Sequence, residues 1–515
     1  MSLLGLHRTV RLVATRTKAT VAIAETKNQT QIKAFNDIPG PTSFPVIGST
    51  WLAVKYQDQV ELGAYMHKTY GDVCALRNLV GVGDAVMIFD VKDIEMMFRN
   101  EGSWPRRQGF HSIGYYRNVM RKEVFGDIEG LLTSNDEPWA DFRSKVNPIL
   151  MQPRTAQQYI TSINDVADDF IERTTEFMHA SPVREMPTDY LDEIHKWALE
   201  SIGIIALDTR LGCIDRNPTE ESHNMAMYML DIFRMTHTLD YSPLAPFCRK
   251  FNLPIWQRFV KYQDFFTNKV LELIEEATRK VENDPNYALK SETDKSAFEK
   301  LRTKGKILSV VMTLDMLAAG IDTTGKVSAA ILYFLAANKD VQHKLREEVT
   351  KALPGSSDFV TKESLEQLQY LRAVVKETMR IAPVTSANLR VMTKDVTLGG
   401  YNIPEGKAVI VPHLYLSLSE QHYKNAHQFK PERWMRGDPA SELKSTNPFV
   451  SMPFGFGPRS CIGKRLANLE IEVFIAKMVK KFDISWNHAP MTFGAELLYG
   501  VKDPLKIQLT PLTDK

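Results

Sequence analysis

Cysteine is scarce in this chain: Cys74, Cys213, Cys248 and Cys461 are the only four in 515 residues, widely scattered and without a CxxC spacing. That excludes a disulfide framework and argues against zinc. No run of 18 or more apolar residues occurs, so no membrane-spanning anchor is expected. Internal repeats and low-complexity tracts are also missing. With 43% hydrophobic and 24% charged residues the composition is that of an ordinary globular protein rather than a polytopic membrane protein. The formal net charge is only +2, which leaves no global basic field for nucleic acid.

Acidic residues are missing from one place in particular. Met1 to Thr20 contains none, and residues 1–35 hold Arg8, Arg11, Arg16, Lys18, Lys27 and Lys33 against Glu25 alone, which is +5 there and −3 elsewhere. Basic residues spaced among short apolar runs and threonines have the composition of a mitochondrial transit peptide. Residues 1–35 are therefore read as a leader and 36–515 as one domain. The punctuation Ile38-Pro39-Gly40-Pro41 makes a rigid entry to that domain.

The richest stretch is Phe449 to Phe474. Gly455, Gly457 and Pro458 predict a stiff loop. After it, Ile462, Leu466, Leu469, Val473 and Ala476 recur at intervals of four and three, which predicts a helix with one buried stripe. Cys461 then sits at a helix N-terminus, where unpaired amides and the positive dipole end favour an anion. A lowered thiol pKa makes thiolate available as a metal ligand.

Elsewhere, Ala85 to Phe89 reads as a short buried strand and Asp90 to Asn100 as a helix capped by Asp90. Gly109 to Gly130 reads as a Gly- and aromatic-rich loop. Trp139 and Arg143 lie one helical turn apart, two donors suited to a carboxylate. Helical patterns cover Asp165 to Arg210 and Ile255 to Val281. Between them, Leu244-Ala245-Pro246-Phe247 and Phe251 to Trp256 mix apolar residues with Arg249, Lys250 and Arg258, a combination that suits either a membrane surface or a covered loop. Gly305 to Ala337 reads as a long, largely apolar helix central to the fold. It contains Ala319-Gly320-Ile321-Asp322-Thr323-Thr324, an acid and hydroxyls where burial is costly. A mid-helix Thr can bond a preceding carbonyl and bend the helix, and Gly320 leaves room for something small. Met312, Asp315, Met316 and Ala319 share part of that face. Glu377 and Arg380 can pair at i,i+3, and Arg372 and Lys376 can point outward together.

The spacing Phe454-x-x-Gly457-x-Arg459-x-Cys461-x-Gly463 resembles the haem-binding loop of the cytochrome P-450 monooxygenases, and five motifs follow in that family's order from Ile38 to the C-terminus. The resemblance implies a mainly α fold with a small β region. Haem b would lie between the long oxygen-binding helix and the Cys-loop helix, with O2 as co-substrate. It makes Cys461 the axial thiolate, with Phe454 packed by the haem. Trp139, Arg143, Arg390 and Arg459 become partners of the haem propionates. Thr323 would bond the dioxygen while Asp322 relays protons. Glu377, Arg380 and Arg433, the last in Phe429-x-Pro431-Glu432-Arg433-Trp434, match a structural network. Met312, Asp315, Met316, Ala319 and Val384 are candidate walls of a substrate pocket.

In mitochondrial members, positions matching Arg372 and Lys376 receive an acidic ferredoxin, and Lys464 and Arg465 would add to that patch. The family's mitochondrial branch often has two arginines after the position of Gly463, where this chain has Lys464 and Arg465. The implied protein is a monooxygenase on the matrix side of the inner membrane, peripherally attached. Ferredoxin, reduced by an NADPH-dependent ferredoxin reductase, is its donor, and a lipophilic small molecule is its substrate. Its look is closest to insect mitochondrial members, and foreign-compound detoxification is favoured over hydroxylation of steroid-hormone (ecdysteroid-type) precursors. A non-catalytic haem sensor or electron carrier is the alternative outside catalysis.

Overall fold

The computed structural model describes residues 32–355, 358–445 and 447–512. The leader expected over 1–35 thus lies almost wholly outside the described residues. Residues 33–35 belong to the folded domain: Lys33 exchanges backbone hydrogen bonds with Gly400 and Asn402, and Phe35 is 8% exposed.

Helices dominate. The longest is Lys306–Ala337, flanked by Tyr190–Leu207, Pro254–Glu282, Gln369–Ile381 and Lys464–Lys481. Among the described residues it is the one helix long and apolar enough to cross a membrane, but it lies buried as the central strut of the fold. It crosses Tyr190–Leu207 closely because its small residues permit it. A Cβ on Gly325 would stand 2.3 Å from His195 Cδ2, and one on Gly320 would stand 2.9 Å from Ile202. The room expected beside Gly320 is thus taken up by Ile202 and serves helix packing.

The β region is small. A four-stranded sheet runs in the order Val73–Leu79, Gly83–Ile88, Ala408–Val411, Asn388–Val391. Its first pair is antiparallel with Val73 opposite Ile88, its middle pair parallel with Ala85 opposite Ala408, and its last pair sets Arg390 opposite Val409. Among the described residues, three two-stranded pairs complete it. Asp90 caps the helix Val91–Arg99 as expected, accepting from Lys92 N at 2.8 Å and Asp93 N at 3.1 Å. One apolar cluster surrounds the central helix, and a second joins Phe35 and the sheet to Phe449 and Val450.

Two expectations change here. Asp165 to Arg210 is two helices, Ile160–Ala180 and Tyr190–Leu207, because Pro182 and Pro187 interrupt it. Gly109 to Gly130 is no open loop: it holds helical turns at His111–Tyr115, Tyr116–Met120 and Lys122–Phe125. Carboxylates on three helices pin it. Asp240 receives Ser112, Asp264 receives Tyr116 and Arg121, and Asp315 receives Arg117.

Candidate functional site

Cys461 follows a 3-10 turn, Gly457–Arg459, entered through Gly455 and Gly457 at φ of 69° and 68°. Its amide returns to the Phe454 carbonyl at 2.9 Å, which closes the loop on itself. Its side chain is exposed, yet burial by surrounding protein is the strongest influence on the thiol. The two facts agree if the sulfur opens onto an internal space. The expected lowering of the thiol pKa is corrected in direction: burial raises it, against the amides of Gly463 and Lys464 and the cations of Arg143 and Lys464.

Four guanidiniums gather beside this loop. Arg459 bonds the Pro105 carbonyl at 2.6 Å, the Ser134 carbonyl at 2.7 Å and Asn135 Oδ1 at 2.8 Å. It also lies 4.3 Å over the Trp139 ring. Arg143 donates to the Ser460 carbonyl at 2.7 Å, and Arg390 to Glu101 Oε2 at 2.5 Å. Arg107 is the fourth. Burial pushes Arg459 down to about 8 and Arg107 down to about 10, with the neighbouring arginines adding repulsion in both. A guanidinium does not shed its proton in a protein, so these values express charge without enough counter-charge. Glu101 is the carboxylate among them, and among the described residues Arg107 Nε, Arg143 Nε, Arg459 Nη1 and Glu101 Oε1 are buried with no hydrogen-bond partner. The donor set fits a group carrying carboxylates beside an open cysteine.

On the central helix, Ala319 and Thr323 are half-buried while Met312 and Met316 are buried. The Thr323 hydroxyl donates to the Ala319 carbonyl at 2.7 Å, leaving its lone pairs to accept a bond. Val384 is half-buried and its carbonyl accepts from Tyr499 N at 2.8 Å. Asp315 does not serve as a wall open to a ligand. It is 3% exposed, bonded to Arg117 Nη1 at 2.7 Å and to Leu131 N at 2.7 Å, because a buried carboxylate needs a cation and donors.

Glu377, Arg380 and Arg433 come together with fully buried side chains. Glu377 accepts from Arg380 at 2.8 and 2.9 Å, from Arg433 Nε at 3.1 Å and from Trp434 Nε1 at 2.9 Å. On the surface nearby, a groove of about 450 Å³ is lined by Arg372, Lys376, Phe454 and Lys464. Lys376 is exposed, and Lys444, Arg372 and Lys464 add to the burial that lowers its pKa. Arg372 departs from the expectation of a free outward charge. It donates to the Leu365 carbonyl at 2.6 Å and lies 3.5 Å from Glu472. Arg465 is exposed and bonds the Met151 carbonyl at 2.9 Å.

The sequence pattern missed several residues. The Cys-loop helix, expected to bury one stripe, also buries Glu470, Glu472 and Lys477. Glu470, pushed by burial up to about 8, engages the Thr324 hydroxyl and so links this helix to the central one. His195 faces Asp322 from another helix. A lone polar residue inside a helical repeat carries no signal of a partner more than a hundred residues away; only Thr324, beside the acid and Thr323, hinted at a polar neighbour.

A buried basic cluster beside an exposed cysteine in a tight Gly-Pro loop, together with a polar step on a long apolar helix, matches a haem-thiolate enzyme. The chain belongs to the cytochrome P450 family, whose model matches residues 38–509. It is 34% identical over 497 residues to the probable cytochrome P450 12b2, mitochondrial, of Drosophila melanogaster, covering 94% of this chain and 91% of that protein. It is 31% identical to the probable cytochrome P450 301a1, mitochondrial, of the same fly, covering 92% and 87%, and 33% identical to cytochrome P450 CYP12A2 of Musca domestica, covering 96% and 94%. It is a monooxygenase of a family that uses haem, a cysteine thiolate and O2.

Proposed function

We propose that this chain is a mitochondrial monooxygenase that takes electrons from a ferredoxin, itself reduced by an NADPH-dependent reductase, and oxidises lipophilic foreign compounds. The observation that carries the choice of donor is the groove beside the Cys461 loop, where Lys376 and Lys464 stand with Arg372 and, among the described residues lining it, Glu472 is the one acid. An acidic partner docked there would meet Phe454 and Gly455 of the cysteine loop. Leu244 at 64% exposed and Phe251 at 61%, among Arg249 and Lys250, support peripheral contact with the inner membrane. Residues 1–31 would act as the targeting leader, since Lys33 to Phe35 are built into the domain.

Haem, when bound, supplies the activation of dioxygen, and a thiolate ligand favours O–O cleavage. This chain's residues provide the setting. Cys461 offers the thiolate. Arg143, Arg390, Arg459 and Arg107 would neutralise the propionate carboxylates, with Trp139 as a neutral N–H donor. Phe454 covers the loop side. Met312, Met316, Ala319 and Val384 supply apolar surface for a substrate. Thr323 accepts and donates at its hydroxyl, while Asp322 holds or passes a proton on the same helical turn. Glu377, Arg380 and Arg433 keep the loop's support rigid.

The test is a screen of the purified, haem-loaded protein with sterols and insecticide-like compounds for shifts in the haem spectrum. Turnover of each hit with ferredoxin and its reductase follows. Products from foreign lipophiles are expected; tight binding and turnover confined to sterols would replace this reading with the hormone-precursor one.

A further inference from the structure

The acid of the central helix is held on both sides. Asp322 is 5% exposed, its Oδ2 receives Lys326 Nζ at 3.0 Å, and its Oδ1 lies 3.3 Å from His195 Nε2. The other ring nitrogen, Nδ1, lies 3.9 Å from Asp192 Oδ1 one turn earlier on its own helix, and the Asp192 side chain is 42% exposed. One buried imidazole thus stands between a carboxylate in contact with solvent and the acid beside Thr323. Neither ring nitrogen makes an aligned hydrogen bond, and both are buried, so the carboxylates meet the ring as charges rather than through directed bonds. Gly325 packs close against the Cδ2 edge of the ring, where a Cβ would stand 2.3 Å away.

Charge balance fixes the role of the ring. On the central helix, Asp322 and Lys326 face it; on its own helix, Asp192 does, while Glu193 is taken by Arg173 and Lys196. From the helix Glu220–Tyr241, Arg234 acts on Asp192 and is itself shared with Asp231 and Glu496. Without a charge on His195, the two carboxylates would be left with Lys326, a shared, half-exposed Arg234 and Lys196, which acts on Asp192 while bonded to Glu193. Burial disfavours the imidazolium, but the two carboxylates outweigh it and raise the ring's pKa. Asp322 in turn is pushed up by burial and brought below its ordinary value by His195 and Lys326.

We propose that His195 is the positioning residue for Asp322: as an imidazolium joining Asp322 to Asp192, it holds the acid in place, so that proton supply during turnover weakens when the ring loses its charge. This rests on the proton role given to Asp322 above. The sign follows from a raised histidine pKa: the charge is present through the ordinary histidine range and is lost on the alkaline side of it.

The measurement is product formed per electron consumed, as a function of pH, on the haem-loaded enzyme with its reductase system. Wild type should lose coupling along an alkaline limb. His195→Lys should move that limb up by about 2 pH units or more, since lysine keeps its charge well above histidine. Asp192→Asn, a half-exposed change outside the buried site, should move it down by about one unit through loss of one carboxylate neighbour. His195→Gln should show the alkaline coupling at every pH. A second readout needs no turnover: in the carbon-monoxide-bound ferrous holoenzyme, the His195 ring resonance, assigned by its loss in His195→Gln, should titrate at lower pH in Asp192→Asn. A limb unmoved by Asp192→Asn and His195→Lys, or a ring that stays neutral throughout, overturns the inference. Asp322→Asn separates the two claims. Unchanged coupling in that variant defeats the proton role itself, whereas uncoupling there with an unmoved limb in the His195 and Asp192 variants defeats only the part given to His195.

Discussion

The guanidinium of Arg459 rests 4.3 Å over the ring of Trp139 with its Nη1 buried and unpartnered, so a cation is held by apolar surface and carbonyls while one donor waits for an acceptor. With Arg107, Arg143 and Arg390 around it, that donor belongs to a pocket short of negative charge.

Arg459→Gln should therefore weaken haem retention. A charge-assisted bond of about 1.5 kcal/mol or more corresponds to roughly tenfold in affinity. The haem-free protein should also lose stability, because the Pro105 and Ser134 carbonyls and Asn135 Oδ1 lose their donor. Haem absorbance during dialysis and thermal melts of both forms check the two halves separately.

Cys461→His should still take up some haem but lose the red-shifted carbon-monoxide spectrum of thiolate ligation, since imidazole donates less charge. Changing Cys74, Cys213 or Cys248, which are all buried and free, to Ala should leave that spectrum in place. A thiolate spectrum in the Cys461→His protein would remove Cys461 as the ligand.

Lys376→Glu combined with Lys464→Glu should reduce ferredoxin-driven turnover at least tenfold. Each close charge pair across an interface contributes about 1.5 kcal/mol or more, and about 1.4 kcal/mol is tenfold. Arg372 is left alone because it is tied to Glu472 and the Leu365 carbonyl. The loss should shrink as salt rises. Peroxide-supported oxidation, which bypasses the donor, should stay near normal; if it falls equally, the mutations have disturbed the haem side instead of a docking face.

Glu470→Gln should stabilise the protein at neutral pH. The carboxyl is pushed up to about 8 in the fold but ionises near its ordinary 4.3 when unfolded. The folded state thus binds the extra proton between those values, and stability falls as pH rises through that window. Removing the group should recover about 4 kcal/mol at pH 7. The gain should vanish below about pH 4, as denaturant midpoints taken at several pH values will test.

Deleting residues 1–31 should leave stability unchanged, whereas deleting 1–35 should cost about 3 kcal/mol, the usual loss for a buried phenylalanine. Phe35 lies under the Arg77 guanidinium at 4.4 Å, and its carbonyl accepts from Arg77 Nη2 at 2.9 Å. Residues 1–31 fused to a reporter should carry it to mitochondria. A cytosolic reporter would remove the leader.

Much of this protein was legible in its sequence because the signals were local. Gly455, Gly457, Pro458 and Cys461 lie within seven positions, and turn geometry depends on neighbours in the chain. The central helix announced itself by 32 residues of mostly apolar side chains, and the helix of Val91–Arg99 by its capping aspartate. The Glu377–Arg380 pair needed only helical spacing.

What the tertiary structure decided is which polar groups share a buried space. Asp315 looked like a pocket wall until Arg117, 198 residues away in sequence, was seen to neutralise it. Gly320 looked like a gap until Ile202 filled it, and the thiol of Cys461 looked acidic until burial opposed the helix end. Glu470 reaches Thr324, and His195 stands against Asp322, only because separate helices cross there. Desolvation and charge pairing act through space rather than along the chain, so residue type and spacing select the chemistry, while the packing of helices selects each group's partner and charge.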